Sequence, residues 1–260
     1  HGCHLLTNHM RTLCSQKKFY QGVMPCKILN ICYTRGEYPS FFMNLFYKDE
    51  KENIKLFNLF SIPLMSFHYG EISEDEFNTF DRYLNNTVNN KFNYTTKENY
   101  FLDKELPLLR RFFEKSINIY TKKVLGDNTQ DLNYRITQSW MNICPPNGSH
   151  HQHTHPNSFI SGVFYIKVNS ESDKITFVND FMQRREIKIE KEVEFNSFNA
   201  VEWSYPVKKG ELILFPSYLT HYVPQVEGKS DRISLSFNVF PYGILGSDES
   251  LNQLRLPNDK

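Results

Sequence analysis

The chain has 260 residues, of which 40% are hydrophobic, 15% aromatic and 23% charged, with a formal net charge of +1. This composition is near the globular average, which argues against extended disorder and a coiled coil. The near-neutral charge gives no strong signal for nucleic acid or an anionic membrane surface. No apolar run approaches the roughly 20 residues needed to cross a bilayer, which argues against a membrane-spanning helix.

The first 42 residues differ from the rest of the chain, because they contain four of its five cysteines. A disulfide framework or a zinc site there is conceivable, but the spacing matches no common zinc finger. We expect residues 1–42 to be a disordered or non-native extension, and residues 43–260 to form a single domain. The only cysteine after residue 42 is Cys144, which fits a reducing cytoplasm.

The part that follows begins with a strand and a helix. An apolar and aromatic run over residues 54–67 predicts the strand. Ser73 and Glu76 have the spacing of a capping box, which predicts that a helix begins there. Apolar residues then recur at helical spacing until the Asn-rich run at residues 85–93 ends the helix.

A second helix and a series of strands complete the pattern. An apolar stripe predicts the helix over residues 104–125, and Gly126 is its stop signal. Short strands are then predicted at residues 134–143, 151–155, 161–168, 174–178, 187–194, 210–215, 220–225 and 232–240. The predicted fold is α+β and mainly β, with two helices before a jelly-roll core at about residues 134–242.

Four histidines fall within residues 150–155. Alternate side chains of a strand share a face, so His151, His153 and His155 are predicted to point one way and His150 the other. Imidazoles two residues apart can bind one metal ion, and His221 is the only other histidine of the β region. Imidazole suits iron, zinc, copper and nickel, so the ligands alone do not choose the metal. The alternative is a solvated histidine loop.

A polar stripe follows His221 on the next predicted strand. One face of residues 232–238 carries Arg232, Ser234, Ser236 and Asn238. A guanidinium at this position could form a bidentate pair with a carboxylate, with Ser234 as an added donor. The alternative is that this face meets water while the apolar residues between them face the core.

Four stretches together resemble the iron(II)/2-oxoglutarate-dependent oxygenases. They are QSWMN at residues 138–142, HTHPNSFISGVFYI at 153–166, GELILFPS at 210–217 and RISLSFN at 232–238. As a set they are similar to a bacterial and phage branch of that superfamily, over about residues 54–242. The resemblance implies a double-stranded β-helix, which is another name for this jelly roll.

The resemblance also implies the composition of the site. His153 and His221 would bind Fe(II), and Arg232 with Ser234 would hold the far carboxylate of 2-oxoglutarate. Trp140 and Asn142 would line the cosubstrate pocket from the first strand of the roll.

One position departs from the usual two-histidine, one-carboxylate set. His155 stands where the carboxylate is expected, so it is either a third ligand or a neighbour of a two-histidine site completed by water. Asn157 is a less favoured neutral ligand. His151 is a spare ligand or a substrate contact.

The sequence therefore predicts an enzyme, a dioxygenase that uses Fe(II), 2-oxoglutarate and molecular oxygen to hydroxylate an unidentified substrate. Residues 181–185 and 196–205 are candidate walls of the substrate site. Two alternatives stay open at this point. One is a cupin-like metalloprotein that uses another metal without 2-oxoglutarate, and the other is a non-enzymatic jelly-roll binding module.

Overall fold

The computed structural model describes residues 44–49, 54–58, 60–127, 132–180 and 195–257. The chain divides into two compact units, His1–Leu59 and Phe60–Lys260. The first unit contains an antiparallel hairpin of β1 (Asn44–Asp49) and β2 (Ile54–Asn58). The expectations for residues 1–42 and the strand predicted at residues 187–194 lie outside the described residues, and the domain boundary at residue 43 stays a prediction.

The early strand predicted over residues 54–67 is two separate strands. After β2, the next strand is β3 (Met65–His68), and residues 60–64 before it have no regular structure. Pro63 lies in that gap. A proline has no backbone N–H to donate to a ladder, which explains the interruption.

The first helix, α1 (Glu74–Leu84), begins as predicted. The Ser73 hydroxyl accepts a hydrogen bond from the Glu76 N–H at 3.3 Å, and the Glu76 carboxylate accepts one from the Ser73 N–H at 2.9 Å. These two bonds confirm the capping box.

The Asn-rich run after α1 contains a hairpin that the sequence did not predict. It consists of β4 (Thr87–Asn90) and β5 (Asn93–Thr96), joined by a turn in which Lys91 has φ of 62°. Asparagine has low strand propensity. The hairpin forms here because β5 pairs with a long strand of the main sheet.

The second helix, α2 (Pro107–Tyr120), is shorter than predicted. A 3-10 turn (Phe101–Asp103) precedes it, and Pro107 is its first residue because proline fits the first helical position. A π-helical turn (Thr121–Leu125) continues it to Gly126, whose φ of 67° confirms the predicted stop. No helix in the described part of the chain is long and apolar enough to cross a membrane.

Nine further strands lie in the part of the second unit that the structure describes. They are β6 (Leu132–Cys144), β7 (His150–His153), β8 (Ile160–Lys167), β9 (Lys174–Val178), β10 (Glu202–Pro206), β11 (Glu211–Pro216), β12 (His221–Val223), β13 (Arg232–Leu245) and β14 (Leu254–Leu256). The major sheet has the order β3-β11-β8-β13-β6-β5-β4, with β14 beside β13, and the minor sheet has the order β10-β9-β12-β7. These two antiparallel sheets confirm the mainly β, jelly-roll prediction.

The outer face of the major sheet is covered by the two helices. The Phe113 ring of α2 lies 4.7 Å from the Phe237 ring of β13 and 5.5 Å from the Phe164 ring of β8. All three rings are fully buried in the largest apolar cluster. This packing determines which residues of β13 face the helices and which face the other sheet.

The inner face of the major sheet packs against the minor sheet. Phe177 of β9 meets Phe215 of β11 edge to face, with ring centroids 5.1 Å apart. Alternation along β13 directs Arg232, Ser234, Ser236 and Asn238 to this inner side, where all four are buried. The alternative in which the polar stripe faces water is therefore wrong, because both faces of the sheet are covered.

Gly162 tests the contact between the major sheet and the helices. A Cβ atom at this position would lie 2.2 Å from the Phe237 ring. We expect Gly162→Ala to lower the free energy of unfolding by about 1–3 kcal/mol, measured by urea denaturation. Adding Phe237→Leu should recover part of that loss, because the smaller side chain makes room. Additive effects of the two substitutions would contradict the proposed clash.

Candidate metal centre

The pairing of β7 with β12 brings the histidines together. His153 is opposite His221, and His150 is opposite Val223, so three steps along β7 match two steps along β12. This extra residue is a β-bulge. Because His221 and Val223 share a face of β12, their partners His153 and His150 share a face of β7. The prediction that His150 points away from His153 is therefore wrong.

His155 is also placed differently from the prediction. It lies two residues beyond the end of β7, and its backbone N–H donates to the Ser217 carbonyl at 3.0 Å. Its side chain nevertheless joins the other two histidines. The ligand atoms of His153, His155 and His221 lie within 4.8 Å of one another, and we call these three residues the inner triad.

Backbone carbonyls orient two rings of the inner triad. Nδ1 of His153 lies 2.8 Å from the His151 carbonyl oxygen, and Nδ1 of His221 lies 2.9 Å from the Leu219 carbonyl oxygen. A carbonyl can only accept, so each Nδ1 must carry the proton. The lone pair of each ring is then on Nε2, which is the usual way in which a protein fixes a metal-binding imidazole.

The spacing of the inner triad fits a metal ion. Nε2 of His155 and Nε2 of His221 are 3.3 Å apart. Two nitrogen ligands at about 2.1 Å from a metal, at an angle between 90° and 110°, lie about 3.0–3.4 Å from each other. Without a metal or a proton between them, two lone pairs at this distance would repel.

The surroundings keep these imidazoles neutral. Burial, with the neighbouring His153, lowers the pKa of His155 to about 4 and that of His221 to about 3. Burial also lowers the pKa of His153. Neutral imidazole is the form that binds a metal, so at pH 7 the ligands need not lose protons.

The usual carboxylate ligand has no counterpart in this cluster. Within the described ranges, the groups that could hold a metal contain only histidines. Asn157, the less favoured candidate, is exposed in a turn with φ of 57°. The candidate ligand set is thus three neutral histidines, which gives a bound divalent ion more net positive charge than the two-histidine, one-carboxylate set.

Arg232 is the second unusual feature of the inner face. It is only 2% exposed, and its guanidinium lies over the Tyr165 ring at 5.1 Å. Its Nε has no hydrogen-bond partner, and no ion pair to Arg232 is found in the part of the chain that the structure describes. Burying an unpaired charge is costly. The arrangement therefore fits an anionic ligand that pairs with this guanidinium.

Other polar groups of the inner face surround Arg232. The hydroxyl of the fully buried Tyr165 and Oδ1 of Asn142 also have no partner among the described residues. The Asn142 side-chain amide donates to the Ser236 hydroxyl at 3.3 Å. Ser234 is buried on β13 opposite Asn142. The structure thus brings Arg232, Ser234 and Asn142 to one region.

Two further residues near the site, Tyr165 and His150, were not predicted from the sequence to lie there. Tyr165 is the only phenol among the inward-facing positions of the mainly apolar strand β8, and this was a usable signal. His150 could not be assigned, because no sequence pattern marks the bulge in β7. Its ring stacks on His153 at 4.5 Å.

A groove of about 630 Å³ opens beside His155. The Trp140 ring forms one wall, 5.6 Å from the His155 ring. The other lining residues are Val88, Thr95, Thr96, Lys97, Asn99, Gln138, Pro156 and Asn238. Trp140 and His155 therefore line this groove side by side, and the place of Trp140 in the cosubstrate pocket stays a prediction. The groove has the size of a small-molecule site.

Two segments were predicted as walls of the substrate site, and the structure describes only one of them. Residues 181–185 lie outside the described residues. Residues 196–205 are not entirely loop, because β10 begins at Glu202 and pairs with β9.

The low pKa values predict how many protons metal binding releases. At pH 6, histidines of ordinary pKa 6.5 would be about three-quarters protonated, so a three-histidine site would release about two protons per ion. We expect fewer than about one proton per ion for this protein, since His155 and His221 are already neutral at pH 6 and burial lowers the pKa of His153. Calorimetric titration with Ni²⁺ in two buffers of different ionisation enthalpy measures the number. Release of about two protons would contradict the neutral triad.

Three comparisons relate this chain to known proteins. The family model described as "Putative 2OG-Fe(II) oxygenase" matches residues 138–238. No curated protein sequence matches the chain.

Solved structures with a similar arrangement share little sequence with the chain. HygX from Streptomyces hygroscopicus, with nickel, 2-oxoglutarate and hygromycin B bound, is 11% identical over 68% of this chain and 82% of its own, with a TM-score of 0.46. The α-ketoglutarate-dependent epimerase SnoN of nogalamycin biosynthesis is 11% identical over 70% and 79%, with a TM-score of 0.48. A Pseudomonas putida prolyl-4-hydroxylase is 12% identical over 68% and 93%, with a TM-score of 0.44.

The family match runs from β6 into β13, and it includes all three histidines of the inner triad as well as Arg232. The jelly-roll core of this chain therefore matches the family of putative 2OG-Fe(II) oxygenases over residues 138–238.

Proposed function

We propose that this oxygenase binds Fe(II) through His153, His155 and His221 and hydroxylates a substrate that enters along the groove beside Trp140. The observation that carries the proposal is a buried guanidinium without an ion-pair partner on the inner face of the major sheet, which packs against the minor sheet that carries His153 and His221. A metal site alone would account for the histidines. The buried Arg232 calls for an anionic cosubstrate as well.

The three histidines would hold the iron in a fixed direction. The carbonyls of His151 and Leu219 orient the rings of His153 and His221, so their Nε2 atoms need no reorganisation before binding. The residues offer three nitrogen ligands, which leaves coordination positions open for 2-oxoglutarate and molecular oxygen.

Arg232 would hold the far carboxylate of 2-oxoglutarate. Its planar guanidinium suits bidentate pairing with a carboxylate. The unpartnered hydroxyl of Tyr165 and the hydroxyl of Ser234 are further donors in the same buried region. Burial raises the pKa of Tyr165 above its usual value, so this phenol keeps its proton and can donate.

Bound iron and 2-oxoglutarate supply the oxidation, in which oxidative decarboxylation to succinate and carbon dioxide is coupled to hydroxylation of a C–H bond. The protein's part is binding, orientation and exclusion of water. Phe177 and Phe215 pack against the buried side of His221, and Trp140 lines the groove next to His155. A substrate in the groove would therefore approach from the His155 side.

The burial of Arg232 distinguishes this proposal from the two alternatives. A cupin-like metalloprotein without 2-oxoglutarate gives no reason to bury an unpaired guanidinium, and neither does a non-enzymatic jelly roll. We further propose that the enzyme works in the cytoplasm, since residues 43–260 contain a single cysteine.

Arg232→Met tests the role given to the guanidinium. Methionine keeps much of the side-chain volume and removes the charge. Anaerobic addition of Fe(II) and then 2-oxoglutarate should give a visible charge-transfer band in the wild type, and the variant should need at least about tenfold more 2-oxoglutarate. The free energy of unfolding without ligands should not fall, because the charge has no ion-pair partner within the described ranges.

Arg255→Ala is the matched control, since it removes an exposed arginine of β14. It should leave both the band and the 2-oxoglutarate requirement unchanged. Unchanged cosubstrate affinity in Arg232→Met would contradict the assignment of Arg232. Absence of the band in the wild type would contradict the proposed function itself.

A further inference from the structure

A second group of histidines lies directly beside the inner triad. The ligand atoms of His150, His151 and His153 also lie within 4.8 Å of one another, and we call these three residues the outer triad. Its ring centroids are 4.5 Å apart for His150 and His153, 5.0 Å for His150 and His151, and 5.4 Å for His151 and His153. The bulge in β7 is what brings neighbouring residues of one strand so close together.

The two triads share His153, and this sharing has a chemical consequence. Nδ1 of His153 donates its proton to the His151 carbonyl, so a neutral His153 has one lone pair, on Nε2. One lone pair can bind one metal ion. When a metal ion binds to the outer triad, His153 is therefore not available as a ligand for the inner triad. When a metal ion binds to the inner triad, His153 is not available for the outer one.

The outer triad differs from the inner one in its access to solvent. His151 is exposed, whereas His221 of the inner triad is almost fully buried. The inner triad also has two nitrogens already at 3.3 Å, within the range that a shared metal requires. We expect the inner triad to bind more tightly and the outer triad to be reached first from solvent.

We propose that His150, His151 and His153 form a second metal position, which is occupied in place of the inner one and takes imidazole-preferring divalent ions such as Zn²⁺, Co²⁺, Ni²⁺ or Cu²⁺. The proposal rests on the inner triad of the proposed function for the shared ligand. Occupation of the outer position leaves the inner one with two histidines. An excess of zinc or copper would then hold the enzyme in a form without its working iron site.

The test counts Co²⁺ bound to the full-length chain by equilibrium dialysis and records its visible absorption. The wild type should bind one ion per chain, because His153 completes only one triad at a time. His155→Ala breaks only the inner triad. This variant should still bind one Co²⁺ ion, but more weakly than the wild type and with a changed visible absorption spectrum. His151→Ala added to His155→Ala should weaken the remaining binding at least about tenfold.

His68→Ala in the His155→Ala background is the matched control, since His68 is exposed on β3 and belongs to neither triad. It should leave the number of bound Co²⁺ ions and their affinity as they are in His155→Ala alone. His155 is partly buried and lies after the end of β7, so its loss should not unfold the chain, and thermal unfolding checks this. His221→Ala is a second way to break the inner triad and should give the same count.

Two results would overturn the proposal. One is equal Co²⁺ affinity of His155→Ala with and without His151→Ala, which would show that His151 binds no metal. The other is binding of two ions per wild-type chain, of which one is lost in His151→Ala and one in His155→Ala, which would show that His153 does not limit occupancy. Both counts are made without 2-oxoglutarate, so loss of the charge-transfer band would overturn the proposed function separately.

Discussion

The pairing of the two short strands β7 and β12 is the constraint on which the site depends. It sets His153 directly opposite His221, and its bulge turns His150 to the same face. Neither strand is long, with four and three residues, so the register is held by the surroundings. Phe215 and Phe177 pack around His221, and the Ser217 carbonyl fixes the backbone of His155. Carbonyls then fix the ring tautomers, so the chain arranges the ligands without help from a carboxylate.

The second constraint is a charge buried at the expense of stability. A guanidinium that is 2% exposed and has no ion-pair partner within the described ranges does not stabilise the fold by itself. The helices on the outer face of the major sheet make this arrangement possible. They provide the apolar core through Phe113 and its neighbours, so the inner face can carry polar residues. The face of β13 toward the helices thus contributes to the apolar core, and its opposite face carries the polar residues of the candidate site.

The sequence predicted those features that depend on local pattern. The capping box at Ser73, the stop at Gly126 and the alternation along β13 follow from spacing alone, and the structure has all three. The features that it did not predict depend on partners distant in the chain. The bulge that reorients His150 exists only against β12, and the hairpin of β4 and β5 exists only because β6 lies beside it. Likewise, His155 joins the cluster from beyond a strand end, where alternation no longer applies.

A crystal structure grown without oxygen, with Fe(II) and 2-oxoglutarate bound, tests the central claim most directly. We predict Nε2 of His153, His155 and His221 at about 2.0–2.3 Å from one iron ion, with the far carboxylate of 2-oxoglutarate paired to Arg232. Iron held by only His153 and His221 with water in the third position would contradict the three-histidine site. A cosubstrate bound away from Arg232 would contradict the account of the buried guanidinium.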